Sequence, residues 1–456
     1  MMHARFHYQT LNEIQEDCTT LGTCIKFSQN TEVLKKPVRV GTTEAPNAFA
    51  VLPMEGCDSE TDGGISAAVR RRYLRFASGG SGLLWWEACS VVPEGRANPK
   101  QMMLTTENKD SFSRLVEEIL QCAEQENGIR PLNILQLTHS GRYARPDSHT
   151  PQPMIVQHDP WLDAALHLSG ETHLVSDAYL EKLIQHYVRS AKLAKECGFD
   201  GVDIKACHRY LLNELLTARN RDGKYGGTFE NRIRLLLNII RAVRCEVGSD
   251  MIIASRFNAF DVHPYPFGFG SDPGGTDKWD RTEPVALTEA MIAAGVNLLS
   301  ASAGNPYFTA PNVTRPFDYP VEGAGLPSEH PLESVSRLFS ITEEIQKAAK
   351  DIPVVGTGYT WLRQFIPYAA AANIEKGACK MVGLGRSSIA YPSAIADFYR
   401  DGFFHKEKCC ITCSKCTQIM RDHGETGCVI RDSAEFLPKY RKYRTEAIDR
   451  SKDDIK

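Results

Sequence analysis

Eight short apolar runs recur along the chain: Ala48–Leu52, Gly82–Glu87, Ile134–Leu137, Gly201–Lys205, Met251–Phe257, Val296–Ala301, Ile352–Gly356 and Cys379–Gly383. Each has strand length, and segments of helical period fall between them. The clearest is Arg232–Glu246, where Ile233, Leu236, Leu237, Ile240 and Val243 share one face and Gly248 follows. Tyr179–Glu196, Leu332–Lys350 and Gln364–Ala372 also carry the helical pattern. Eight such βα units predict an α/β fold, a closed (β/α)8 TIM barrel. An open doubly wound sheet usually has fewer strands and a glycine-rich turn after its first one, and no G-x-G-x-x-G follows any of these runs. In a barrel the chemistry sits on the loops after the strand C-termini. Three of those loops are long (residues 139–173, 258–280 and 302–330), and their proline, glycine and aromatic content marks them as ordered covers over a pocket.

The 456 residues divide into a polar extension, 1–45, with a basic patch at Lys35, Lys36 and Arg39; the barrel, 46–402; and a cysteine-bearing segment with a charged tail, 403–456. The tail from Lys439 onward reads as a solvated helix or a frayed end. A net charge of -3 gives no electrostatic case for binding nucleic acid or a membrane surface. No apolar run approaches the roughly 18 residues of a membrane span. Met1 to Thr20 lacks a signal-peptide pattern, so the expected location is cytoplasmic.

Of 14 cysteines, five crowd between Cys409 and Cys428. The spacing is Cys410-x2-Cys413-x2-Cys416-x11-Cys428. Three thiolates on tight turns and a fourth closing the cage suit a [4Fe-4S] cubane, so the segment is read as iron–sulfur-binding. A structural zinc, although it usually takes two C-x2-C pairs, and free thiols are the alternatives. Cys409 is either a buried neighbour or a sign of a different register.

Several segments together resemble the old yellow enzyme family of FMN-containing barrels. The fullest match runs from Phe199 to Asn213 through Asp203, Lys205, Cys207, His208, Arg209 and Tyr210, and continues through Asn220-Arg221, Tyr225-Gly226-Gly227 and Phe229-Glu230-Asn231-Arg232. Pro53-Met54, Glu87-Ala88, Gln136, His139-Ser140-Gly141-Arg142, Arg256 and Val382-Gly383-Leu384-Gly385-Arg386 add to it. The cysteine segment resembles that family's iron–sulfur branch, which includes 2,4-dienoyl-CoA reductase and trimethylamine dehydrogenase. The resemblance implies FMN held by Pro53, Met54, Glu55, Ala88, Gln136, Arg256, Gly358, Tyr359, Gly385 and Arg386. It implies a cluster on Cys410, Cys413, Cys416 and Cys428.

For catalysis the resemblance implies Tyr210 as proton donor and His208 and Lys205 as carbonyl-binding residues. Lysine replaces the family's usual histidine at 205 and is better suited to a carboxylate or a strongly polarised oxygen. Arg209 replaces a glycine and either adds charge to the site or reaches a loop carboxylate. A carboxylate at Glu55, close to the flavin, must be paired, protonated or turned away. Cys57 is read as a buried structural thiol, and Tyr307, His263 and Arg315 as loop contacts to substrate.

The expected activity is reduction of the C=C bond of an α,β-unsaturated carbonyl or carboxylate compound. The chain ends shortly after Cys428, where relatives continue into FAD- and NAD-binding domains. The expected partners are therefore the small-molecule substrate, an external electron donor (a ferredoxin, a flavoprotein subunit or NAD(P)H) and, as an oligomer, further copies of the chain. Amine or alcohol oxidation with the same cofactors, and a non-redox lyase or isomerase with a zinc knuckle, are the alternatives.

Overall fold

A computed structural model describes residues 3–453 apart from 149, 277 and 309–314. Eight strands form one sheet: Phe49–Val51 (β1), Leu83–Ser90 (β2), Leu132–Thr138 (β3), Gly201–Ile204 (β4), Ile252–Phe260 (β5), Leu298–Ala303 (β6), Val355–Gly356 (β7) and Met381–Leu384 (β8). Sequential strands lie side by side and all pairs are parallel, with β8 joining β1 to β7. A parallel bridge between Leu299 and Val354 brings β6 to β7 and closes the ring, which is the expected (β/α)8 barrel. β2 and β5 each run three residues past their apolar runs, as far as Ser90 and Phe260. Their last residues include polar ones that are nonetheless buried under the loops, so hydrophobicity alone stops short of the strand ends.

Helices Ala67–Ala77 (α1), Lys109–Asn127 (α2), Asp177–Glu196 (α3), Phe229–Val247 (α4), Thr282–Ala294 (α5), Pro331–Ala349 (α6), Ile366–Glu375 (α7) and Ala394–Asp401 (α8) surround the sheet. Ser66, Ser176 and Thr228 cap α1, α3 and α4 by accepting a backbone N–H, each worth about 1 kcal/mol. All five apolar residues of the Arg232–Glu246 face are buried in α4.

Inside the barrel, side chains alternate along each strand. Ala50, Leu83, Trp85, Leu132, Ile134, Ile252, Ala254, Leu298, Val355 and Met381 fill the interior in one apolar cluster. Val40 and Ala45, from a hairpin of Val38–Val40 with Thr43–Ala45, complete that cluster. Helix Leu11–Thr20 contributes Ile14 and Cys18 to a second cluster with Phe339, Trp361 and Phe365. The tail forms helix Ser433–Asp453, whose Phe436 packs on Ile419 and Val429 of the cysteine segment. Among the described residues no helix is long and apolar enough to cross a membrane.

Candidate active site

A cavity opens where the strands end. It is lined by Pro53, Met54 and Glu55 after β1, Gln136 on β3, Lys205 and His208 after β4, and Arg256 on β5. Tyr307 and Arg315 after β6, Gly358 after β7, and Gly385 and Arg386 after β8 complete it. Strand alternation explains the floor. Leu132 and Ile134 point into the core and Gln136 is the next inward residue; Ile252, Ala254 and Arg256 repeat the pattern. Asp203 lies at the same level on β4, fully buried. It accepts hydrogen bonds from the Trp85 indole at 2.9 Å, the Gln136 amide at 2.6 Å and the Arg256 backbone N–H at 2.8 Å. Burial pushes its pKa up to about 6 against the pull of those donors. Arg256 donates through Nη1 to the Pro53 carbonyl at 3.3 Å, while its Nε is buried without a partner.

The loop after β4 turns sharply. His208 and Arg209 both adopt positive φ, +64° and +60°. Such backbone is costly for side-chain-bearing residues and collects at functional sites. The turn sends consecutive side chains in different directions. His208 lies 3.3 Å through Nε2 from Ser302 Oγ and lines the cavity. Burial, with Arg256, Lys205 and Arg315 nearby, holds its pKa well below the usual range, so the ring is neutral. Arg209 turns inward instead, completely buried, with Asp159 at 2.9 Å and Asp261 at 3.3 Å. It reaches loop carboxylates and adds no charge to the cavity. His263 pairs with the same Asp159 at 2.8 Å and is absent from the lining, which corrects its assignment as a substrate contact.

Lys205 Nζ sits 3.8 Å from the centre of the Tyr210 ring and 3.7 Å from Glu55 Oε1. The Tyr210 hydroxyl donates to Glu55 Oε2 at 2.9 Å and lies 2.9 Å from the Tyr307 hydroxyl. With its own proton directed at Glu55, Tyr210 accepts from Tyr307. Burial and the Glu55 carboxylate hold both phenols above their ordinary pKa, so both stay protonated. Glu55 faces the cavity and is paired, also accepting from Gln101 Nε2 at 2.8 Å. Tyr210 itself stands behind the lining, which Lys205, Glu55 and Tyr307 provide.

At the β7–β8 end, Gly358 has φ +96°, and a Cβ on Gly385 would stand 3.0 Å from Met54 Sδ. Arg386 donates to the Pro316 carbonyl at 2.7 Å. Two expected cofactor residues lie outside the lining. Tyr359 is buried with its hydroxyl accepting from Asn373 at 2.8 Å, and Ala88 is buried beside Gln136 in the β2–β3 register. A second, smaller cavity is lined by Cys410, Cys413, Cys416 and Cys428; Cys416 and Arg386 line both cavities. The Thr412 and Arg431 backbone N–H groups donate to Cys410 and Cys428 Sγ at 3.4 and 3.2 Å. Cys409 donates to the His405 carbonyl and does not line that cavity, so it is the buried neighbour. Burial raises the Cys57 thiol well above its usual pKa, as suits an inert residue. Among the described residues no three His, Cys, Asp or Glu side chains converge as ligands of a single metal ion.

Three participants escaped the sequence reading: Asp203 as anchor of Gln136, Gln101 as partner of Glu55, and Thr426. The Thr426 backbone N–H donates to Asp58 at 2.9 Å, and Asp58 is bound by the buried Arg72, which also holds Glu87. This lock ties the cysteine segment to the loop carrying Glu55. The alternation Gly201, Asp203, Lys205 could have placed Asp203; no local signal marks the other two.

The sequence profile of a family described as NADH:flavin oxidoreductase / NADH oxidase matches residues 33–269. An NADH oxidase of Thermoanaerobacter brockii is 27% identical over 380 residues, covering 82% of this chain and 52% of that protein. A cinnamate reductase of Clostridium sporogenes is 23% identical over 440 residues, covering 91% of this chain and 60% of its own length. The solved structure of an old yellow enzyme homologue from Zymomonas mobilis superposes with a TM-score of 0.60 at 19% identity, covering 82% of this chain and 94% of that one. The chain spans about half the length of several curated relatives.

Proposed function

Since the chain belongs to the NADH:flavin oxidoreductase / NADH oxidase family and is a flavin-dependent oxidoreductase, we propose that it reduces the C=C bond of an α,β-unsaturated carbonyl or carboxylate compound, carrying FMN and a [4Fe-4S] cluster. The lining fits FMN. Arg386 and the close-packed Gly385 and Gly358 suit its phosphate; Gln136 and Arg256, with its unpartnered Nε, suit the polar edge of its ring. Bound there, the flavin supplies hydride chemistry. The four thiols around one small cavity, with two backbone N–H groups donating to their sulfurs, fit a cubane. Family membership leaves the non-redox lyase with a structural zinc without support.

The observation that carries the reading is the line Glu55–Tyr210–Tyr307 beside Lys205. The Lys205 ammonium binds and polarises the substrate oxygen, and neutral His208 contributes a hydrogen bond to the same group. Tyr307 faces the cavity and gives a proton to the α-carbon; the Tyr210 proton, held on the Glu55 carboxylate at rest, turns across the 2.9 Å contact to replace it, and a solvent proton taken up by Glu55 restores Tyr210. Tyr210 is thus the proton source, acting through Tyr307. Reducing equivalents come from NADH, the reductant in the name of the T. brockii relative, or from a reduced ferredoxin or flavoprotein. Tyr210→Phe and Tyr307→Phe should each slow product formation from cinnamate-type acids about 10²–10⁴-fold while leaving flavin content intact. Wild-type turnover in both variants overturns the assignment.

Glu55 favours one second reading, because a carboxylate in the cavity also suits a substrate ammonium. Anaerobic bleaching of the flavin by simple amines, without added reductant, would select amine oxidation instead.

A further inference from the structure

Five cationic side chains line the main cavity, Lys205, Arg256, Arg315, Arg386 and Arg421, against one carboxylate, Glu55. His208 is neutral there. A dianionic flavin phosphate at Arg386 and an electron-rich ring edge at Arg256 account for two of the five. Glu55 offsets Lys205 only in part, since their closest atoms are 3.7 Å apart.

Arg315 and Arg421 remain. Arg315 makes one long hydrogen bond, 3.5 Å to Thr417 Oγ1, and no ion pair among the described residues. The guanidiniums of Arg386 and Arg421 line the same cavity, so like charges are gathered around it. Arg421, exposed at the rim, donates to the Pro306 carbonyl at 2.9 Å, beside Tyr307. An unpaired, half-buried guanidinium is expensive unless an anion joins it. The planar fork of arginine matches a carboxylate in two-point contact.

We propose that the substrate is an unsaturated dicarboxylate: one carboxylate at Lys205 next to the reacting double bond, the second at Arg315 and Arg421 on the rim. The inference rests on the reading of the cavity as an FMN site that reduces a C=C bond, but its test reads binding alone.

The oxidised holoenzyme is titrated with crotonate, with its carboxylated homologue glutaconate and with longer unsaturated dicarboxylates, following the visible flavin absorbance. At least one dicarboxylate should bind about tenfold or more tightly than crotonate. Arg315→Gln and, independently, the rim variant Arg421→Gln should abolish most of that preference while shifting crotonate affinity less than about threefold. Equal binding of all these acids by the wild type overturns the proposal, as does a preference that survives in both variants. Loss of flavin or iron from Arg315→Gln with the preference intact also overturns it, because the arginine then serves a resident cofactor. A preserved dicarboxylate preference without any reduction of the bound acid would sink the ene-reductase reading and leave this subsite standing.

Discussion

Two groups of buried or half-buried arginines face opposite fates in this barrel. Arg72, Arg142 and Arg209 each lie between two carboxylates: Asp58 and Glu87, Asp163 and Glu214, Asp159 and Asp261. Among the described residues, Arg256, Arg315 and Arg386, around the cavity, reach only a carbonyl or a hydroxyl. The desolvation cost is similar in kind, but the compensation differs. The first group is satisfied within the chain and rivets loops together: Arg72 ties the β1 loop to β2, and Arg209 ties the β4 loop to the loops after β3 and β5. The second group is completed only by something from outside. Among these six arginines, pairing, more than charge or burial alone, separates scaffold from binding surface.

The contrast is broken most sharply at Arg209. Arg209→Met leaves Asp159 and Asp261 buried without their cation, and the loss should be about 3–5 kcal/mol in chemical denaturation. The positive φ at residue 209 persists in the variant, so backbone strain does not confuse the comparison. A loss below about 1 kcal/mol would mean that His263 and the neighbouring hydroxyls can hold both carboxylates, and the rivet reading fails.

Asp203 sharpens the same contrast from the acidic side. It is a fully buried carboxylate whose charge is met mainly by dipoles: an indole, an amide and a backbone N–H. Its pKa is raised to about 6 in the fold. A carboxyl with a raised folded pKa adds stability that is full below its unfolded pKa, near 4, and is lost as pH rises through about 6. Asp203→Asn removes this titration. The stability of the wild type relative to the variant should therefore fall by up to roughly 3 kcal/mol between pH 4 and pH 6, and stay level above that. A difference that is flat across this window would show the carboxylate to be fully compensated, like those beside Arg209.

What was legible beforehand follows these physical lines. Strands buried on both faces read as unbroken apolar runs, so all eight were visible. Their ends were not, because Ser90, Thr138 and Asn258 are polar yet sealed under loops. Lys205, Gln136 and Arg256 were findable because strand alternation and the family likeness point to the same residues. The Glu55–Tyr210–Tyr307 line was not, since Tyr210 meets partners 155 and 97 positions away through loops whose course no local pattern records. Tyr359 was misplaced toward the cavity for a related reason: it follows Gly358, whose positive φ redirects the chain and sends the tyrosine into the core.

Arg386 gives the smallest effect and the most direct test of what an unpaired arginine is for. It lines both the main cavity and the thiol cavity and has no carboxylate among the described residues. In Arg386→Gln no buried carboxylate is stranded, so the flavin-free protein should keep its stability to within about 1 kcal/mol. The charged hydrogen bonds offered to an anion are lost, and flavin affinity should weaken about 10–100-fold, read from flavin fluorescence on dilution. If Arg386→Gln instead destabilises the flavin-free chain as much as Arg209→Met does, the two groups of arginines are one group, and pairing does not distinguish them. If stability and flavin affinity are both unchanged while iron is lost, the guanidinium belongs to the thiol cavity, and the phosphate end of the main cavity must be held by Gly358 and Gly385 without it.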